Sequence, residues 1–126
     1  MPSKKKVVSK LLPVTRSVRR LHDLGWIADI AERKMGKLSR DWCNFADIVA
    51  IRVGHNLSPQ VLLVQATGWT NVSSRLTKVR ASREALRCVM AGCSVQVWGW
   101  DRCREEPRIE HVELDSFDDF PPTCVE

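Results

Sequence analysis

Two apolar runs, Phe45 to Arg52 and Gln60 to Thr67, alternate with period two on either side of a turn-forming segment, Val53-Gly-His-Asn-Leu-Ser-Pro59. This pairing constrains the fold more than any other feature. Alternation puts Phe45, Asp47, Val49 and Ile51 on one face of the first run, and Val61, Leu63, Gln65 and Thr67 on one face of the second. Gly, Asn, Ser and Pro between them favour a reversal of the chain. With Arg52 opposite Gln60, an antiparallel register makes paired numbers sum to 112, which sets Asp47 directly opposite Gln65. A carboxylate beside a side-chain carbonyl suits a hard cation: Mg²⁺ prefers oxygen ligands, takes few from the protein and leaves positions for water and phosphate. The plainer reading of either residue alone is a polar side chain at a strand end.

The flanking segments build an α/β domain around this hairpin. Val18, Leu21 and Leu24 recur at helical spacing with Arg16, Arg19 and Arg20 between them, so a helix is expected over 14–24, stopped by Gly25. Trp26 to Glu32 alternates next, which places Glu32 at the end of a strand's apolar row. Residues 35–44 read as a polar connection whose Asp41 is either a spare carboxylate for the site or a turn cap. Past Thr67, Gly68-Trp69-Thr70-Asn71 offers a turn and a cap to a helix carrying Val72, Leu76 and Val79 inward. Arg75 and Lys78, three apart, are expected on one face near that helix's start. Ser82 opens a second helical piece that runs to Met90 and ends at Gly92.

Cys93 to Trp100 is a further apolar strand, and the helical stretch ahead of it implies a crossover and parallel pairing. Trp98 and Trp100 alternate with Val95, Val97 and Gly99. Both rings are large enough to stack nucleobases, but core packing is their expected role. Ile109 to Leu114 adds an edge strand.

Charge is segregated along the chain. Residues 1–104 hold 19 Lys and Arg against 7 Asp and Glu, whereas residues 105–126 hold one Arg against eight acids. A body this basic points to a polyanion, because releasing counterions from a phosphate backbone drives binding whatever the base sequence. Residues 1–13 read as a basic flexible arm, 14–114 as the folded domain and 115–126 as an acidic tail. The 126 residues suit one domain, no apolar run approaches the roughly 20 residues of a membrane span, and Met-Pro-Ser-Lys-Lys-Lys is no secretory leader. A cytoplasmic protein is therefore expected. Five scattered cysteines, with no C-x-x-C pair and no histidine at zinc-site distance, read as reduced thiols.

Glu32, then Asp47 in Phe45-Ala-Asp-Ile-Val-Ala-Ile51, then Gln65 in Leu62-Leu-Val-Gln-Ala-Thr67, resembles the PD-(D/E)XK nuclease superfamily, including its resolvase-like and phage-borne branches. The resemblance runs from about residue 14 through Asn71, Arg75 and Lys78 to Val95-Gln-Val-Trp-Gly-Trp100. It implies a restriction-endonuclease-like core of order αβββαβ and a metal-dependent endonuclease acting on DNA in recombination or repair. It further implies Mg²⁺, with Mn²⁺ as substitute, held by Asp47, Gln65 and Glu32. Thr67 stands where the superfamily has its lysine, and in some members that cation comes instead from the following helix, which here offers Lys78. Arg75, Lys78, Asn71, Arg19 and Arg20 are the expected DNA contacts, and Asp41 and Thr67 the accessory positions. DNA is the expected partner, with a homodimer as candidate assembly and no membrane. The alternative is a nuclease fold without catalysis that persists as a DNA-binding or protein-interaction module.

Overall fold

The computed structural model describes residues 7–31, 33–35, 38–40, 42–43 and 45–117. Its centre is the hairpin read from the alternating runs. Strands β4 (Ile48–Val53) and β5 (Pro59–Gly68) are antiparallel, with Arg52 opposite Gln60 and Ile48 opposite Val64. Asp47 lies one residue ahead of β4, where the regular pairing ends; its N–H donates to the Val64 carbonyl at 2.9 Å, and its side chain reaches Gln65. The turn between the strands is a short 3-10 segment, His55–Leu57, in which Asn56 takes a left-handed φ of 58°.

The chain is an α/β protein built on a five-stranded mixed sheet. Strand β1 (Ile27–Ile30) pairs antiparallel with β4 at one edge, β6 (Ser94–Trp100) runs parallel to β5, and β7 (Arg108–His111) closes the other edge against β6. Parallel pairing of β5 with β6 needs a crossover, which helices α2 (Val72–Arg80) and α3 (Arg83–Met90) supply. Ser82 caps α3, its hydroxyl accepting from the Ala85 N–H at 3.2 Å. Gly92, at φ 99°, ends that helix, and the Cys93 N–H reaches back to the Cys88 carbonyl at 2.9 Å, closing the left-handed terminal motif that favours glycine. Helix α1 (Pro13–Asp23) opens on a proline whose missing N–H costs nothing in a first turn.

Each face of the sheet owns a separate core. Phe45, Leu63, Val95 and Val97 pack against Val72, Leu76 and Val79 of α2 and Ala85 and Leu86 of α3. Ile48, Ala50, Leu62, Val64, Ala66, Trp98 and Trp100 form the other core with Leu21 of α1. The two tryptophans are thus core residues, and each indole N–H has an acceptor: Trp98 donates to Gln96 Oε1 at 2.8 Å and Trp100 to the buried Ser17 hydroxyl at 2.7 Å.

Several expectations need correction. An antiparallel hairpin, β2 (Arg33–Met35) with β3 (Leu38–Arg40), begins just ahead of the polar connection read over 35–44 and takes up its first half. The last strand is shorter than the pattern over 109–114, because Leu114–Ser116 turns into a 3-10 segment. Phe117, inside the segment read as a tail, is 8% exposed and belongs to the α2–α3 core, so the folded part extends past 114. Val8 and Ser9, inside the segment read as a free arm, both donate their N–H groups to the Arg102 carbonyl, at 2.6 and 3.1 Å. No helix among the described residues is long and apolar enough to cross a membrane.

Gly99 sets how closely the crossover approaches the sheet. A Cβ there would run into Val72 Cγ2 and lie 3.2 Å from the Trp69 Cα. Gly99→Ala should therefore push the start of α2 off β6 and cost about 1–3 kcal/mol of stability by overpacking. Denaturant unfolding of the variant beside wild type measures this, and an unchanged midpoint would contradict the close approach.

Candidate active site

Asp47 and Gln65 meet at the C-terminal end of β5, on the face that α2 and α3 cover. Both are nearly inaccessible, 6% and 3% exposed. Asp47 Oδ2 accepts from Gln65 Nε2 at 2.7 Å and from the Ala66 backbone N–H at 2.9 Å. A buried carboxylate needs such donors, since it has lost its water. The cost appears on the other side of the amide: Gln65 Oε1 is buried and has no hydrogen-bond partner among the described residues. An orphaned buried carbonyl costs about 1–3 kcal/mol, and few native side chains carry one without cause.

The end of β1 closes on the same point. Ile30 pairs with Ile48, and the Ala31 N–H donates to the Asp47 carbonyl at 2.7 Å, so the chain passes beside Asp47 immediately before Glu32. Glu32 itself lies outside the described residues, as does Asp41. Among the described residues no three His, Cys, Asp or Glu side chains are grouped to hold a metal. The donor types suit a hard divalent cation, one carboxylate and one amide oxygen that lacks a partner; with Gln65 Nε2 turned to Asp47 the oxygen faces away from the carboxylate, so joint ligation of one ion requires the amide to turn over.

Thr67 is 6% exposed and continues the row of Leu63 and Gln65. The cations of α2 lie further along. Arg75, one turn into the helix, is half-buried, whereas Lys78 is exposed and sits in the last turn rather than near the start. At 1.5 Å per residue it lies roughly 9 Å along the axis from Val72. Asn71 is exposed ahead of α2, and its carbonyl accepts from the Ser74 hydroxyl at 2.9 Å; its side chain does not cap the helix.

The arginines of α1 lie over the opposite face, and two of them are occupied by the protein itself. Arg16 is 8% exposed; its guanidinium donates to the carbonyls of Asp101 at 2.8 Å and Arg104 at 2.7 Å and lies 4.3 Å from the Trp100 ring centre. Burial pulls its pKa below the ordinary arginine value, with Arg20 pushing the same way and Asp101 opposing. Arg20 pairs with Glu106 at 3.1 Å and donates to the Glu105 carbonyl at 2.9 Å. Arg19 is exposed, and with Arg16, Arg20, Trp100 and Glu105 it lines an open cavity of about 400 Å³. Cys88 offers no nucleophile, since burial, with Cys93, Cys43 and Glu84 adding to it, pushes its thiol up to about 11.

Sequence reasoning missed the rim where β5 and β6 end. Trp69, in the turn after β5, is half-buried, and the Arg104 guanidinium lies 4.4 Å from its ring centre. The only available signal was an aromatic residue in a turn between the hairpin and a basic helix. Comparison with protein-family models, with curated proteins and with solved structures found no match to this chain.

Gln65→Glu tests the pair without reference to activity. A second buried carboxylate beside Asp47 should destabilise the metal-free protein near neutral pH by roughly 3 kcal/mol or more. Its pKa would be raised above the unfolded value, so the lost stability should return as pH falls through that raised pKa and one proton is taken up. Divalent cation should also restore it. Thermal melts at pH 7 and pH 5, with and without Mn²⁺, measure both effects, and a melt that neither acid nor metal raises would contradict the proximity of the two groups.

Proposed function

We propose that this chain is a metal-dependent DNA endonuclease of the small, resolvase-like kind. The observation that carries the reading is the buried Asp47–Gln65 pair, whose amide oxygen has no partner, at the strand positions where the sequence resembles the PD-(D/E)XK pattern. Asp47 and Gln65 Oε1 would hold Mg²⁺ or Mn²⁺, with Glu32 as the third ligand that the resemblance implies. A divalent ion in such a site polarises a phosphate oxygen and lowers the pKa of an attacking water. The protein's own part is to hold the scissile phosphate over the pair and to balance charge that builds up on it. Arg75, half-buried and one turn from the start of α2, is the better-placed cation for that task, and Lys78 the more distant one. The basic balance of residues 1–104 would hold the DNA backbone without reading its sequence.

A second reading has its own observation. Asp47 already accepts two hydrogen bonds from the chain, and a buried Thr67 replaces the lysine. A carboxylate already supplied with donors from within would suit a nuclease fold kept as a DNA-binding module.

Incubation with supercoiled, single-stranded and branched DNA in Mg²⁺, Mn²⁺ or chelator separates the two. The endonuclease reading expects cleavage that chelator stops and that Asp47→Asn abolishes. Arg75→Ala should slow turnover by roughly 10² to 10³, the range for deleting one transition-state charge stabiliser, with a smaller loss for Lys78→Ala. DNA binding should persist in all three variants and weaken steeply as salt rises. Salt-dependent binding with no cleavage in either metal selects the module, and cleavage retained by Asp47→Asn overturns the site.

A further inference from the structure

Past the end of β5, four residues beyond Gln65 along the chain, the rim holds a flat cationic stack that neither core uses. Trp69 follows β5 directly, and its backbone lies close against β6: a Cβ at Gly99 would sit 3.2 Å from the Trp69 Cα. Its indole is half-buried, so part of the ring faces solvent, and the exposed Arg104 lays its guanidinium over that ring at 4.4 Å. Arg104 is itself held from below: the Arg16 guanidinium donates to its backbone carbonyl at 2.7 Å and to that of Asp101 at 2.8 Å. A buried arginine thus fixes the loop that carries the exposed one. Fixing matters, because a side chain ordered before the ligand arrives loses little freedom when it binds. Trp98 and Trp100, by contrast, are buried in the core against α1.

We propose that Trp69 and Arg104 form a stacking platform for an unpaired DNA base next to the scissile phosphate, so that the preferred substrate contains single-stranded DNA. The inference deepens the endonuclease reading and rests on it for the identity of the ligand. A duplex keeps its bases stacked on one another and offers this rim only phosphates, which Arg104 can attract but Trp69 cannot. A single strand offers a base face to the ring and the guanidinium plane together with the same phosphate charge. The position also suits the chemistry: Trp69 lies four residues beyond Gln65 along the chain, between the strand end and the helix that carries Arg75.

The test is equilibrium binding of labelled oligo-dT and of a blunt duplex of equal length, by fluorescence anisotropy in chelator at fixed salt. Chelator removes cleavage, so the result stands apart from the active-site reading. Trp69→Leu should weaken oligo-dT binding by about 5- to 100-fold while duplex binding changes less than twofold, and Trp69→Phe, which keeps a flat ring, should retain most of it. Arg104→Lys, which keeps the charge and loses the plane, should weaken oligo-dT more than duplex. A chain that never cleaves DNA but shows this pattern would sink the nuclease reading and leave the platform standing. Circular dichroism checks that Trp69→Leu is folded, and if it is not, the Arg104→Lys comparison decides alone. Oligo-dT affinity unchanged in the folded Trp69→Leu and in Arg104→Lys, or lost equally with duplex affinity, overturns the platform.

Discussion

A slip of one residue between β4 and β5 would turn Asp47 and Gln65 to opposite faces of the sheet and exchange the two cores, because side chains alternate with period two. The register therefore carries the rest of the molecule. It is held twice. Phe45 and Leu63 must face α2 and α3 while Ile48, Leu62 and Val64 face α1, so both faces resist the slip through burial. The Asp47 carboxylate then crosses between the strands to Gln65 Nε2 and the Ala66 N–H, a polar tie that no other register would satisfy. Burying a carboxylate costs several kcal/mol, and here that cost is met at a single point, the place where three strands converge. Buried polar groups of this kind add specificity to a fold even where they add little stability.

The rim above that point is organised from the opposite face. Arg16 sits in α1 yet satisfies two carbonyls of the loop after β6, and its guanidinium rests on Trp100. The Trp100 indole returns a hydrogen bond to Ser17 of the same helix, and Ser17 donates to the Pro13 carbonyl at 2.8 Å. Helix, strand and loop are thus bound by a short polar chain inside an apolar core. The loop placed in this way carries Arg104 to Trp69. Positive charge at the end of β5 and β6 is therefore carried by a loop that is tied down from the opposite face.

What could be read in the sequence follows from which forces are local. Alternation over 45–52, 60–67 and 93–100 reports a half-buried or buried strand directly, and helix punctuation at Gly25, Ser82 and Gly92 reports backbone chemistry; these fall where expected, whereas Pro13, read as part of the arm, opens the first helix. The parallel pairing of β6 was legible because a helical stretch separates it from β5. Arg16 was not legible, since an arginine in a polar helical position reads as surface and its acceptors lie more than 80 residues away. Lys78 falls on the expected helix, but only a count of turns along α2 shows it near the far end. The hairpin over 33–40 has too little apolar pattern to announce itself. For the candidate site, the juxtaposition of Asp47 and Gln65 followed from register alone, whereas the unpartnered Gln65 Oε1 depends on packing around the amide that no pattern encodes.

Whether Asp47 and Gln65 together hold a divalent cation is decided by calorimetric titration of Mn²⁺ into the wild type, Asp47→Asn and Gln65→Met. Gln65→Met keeps the volume of the side chain and removes the carbonyl, so it isolates that one ligand. The account predicts saturable binding at one site in the wild type, loss of that binding in Asp47→Asn, and affinity at least tenfold weaker in Gln65→Met, about 1.4 kcal/mol. Wild-type affinity in both variants, or no saturable binding in the wild type, would contradict it.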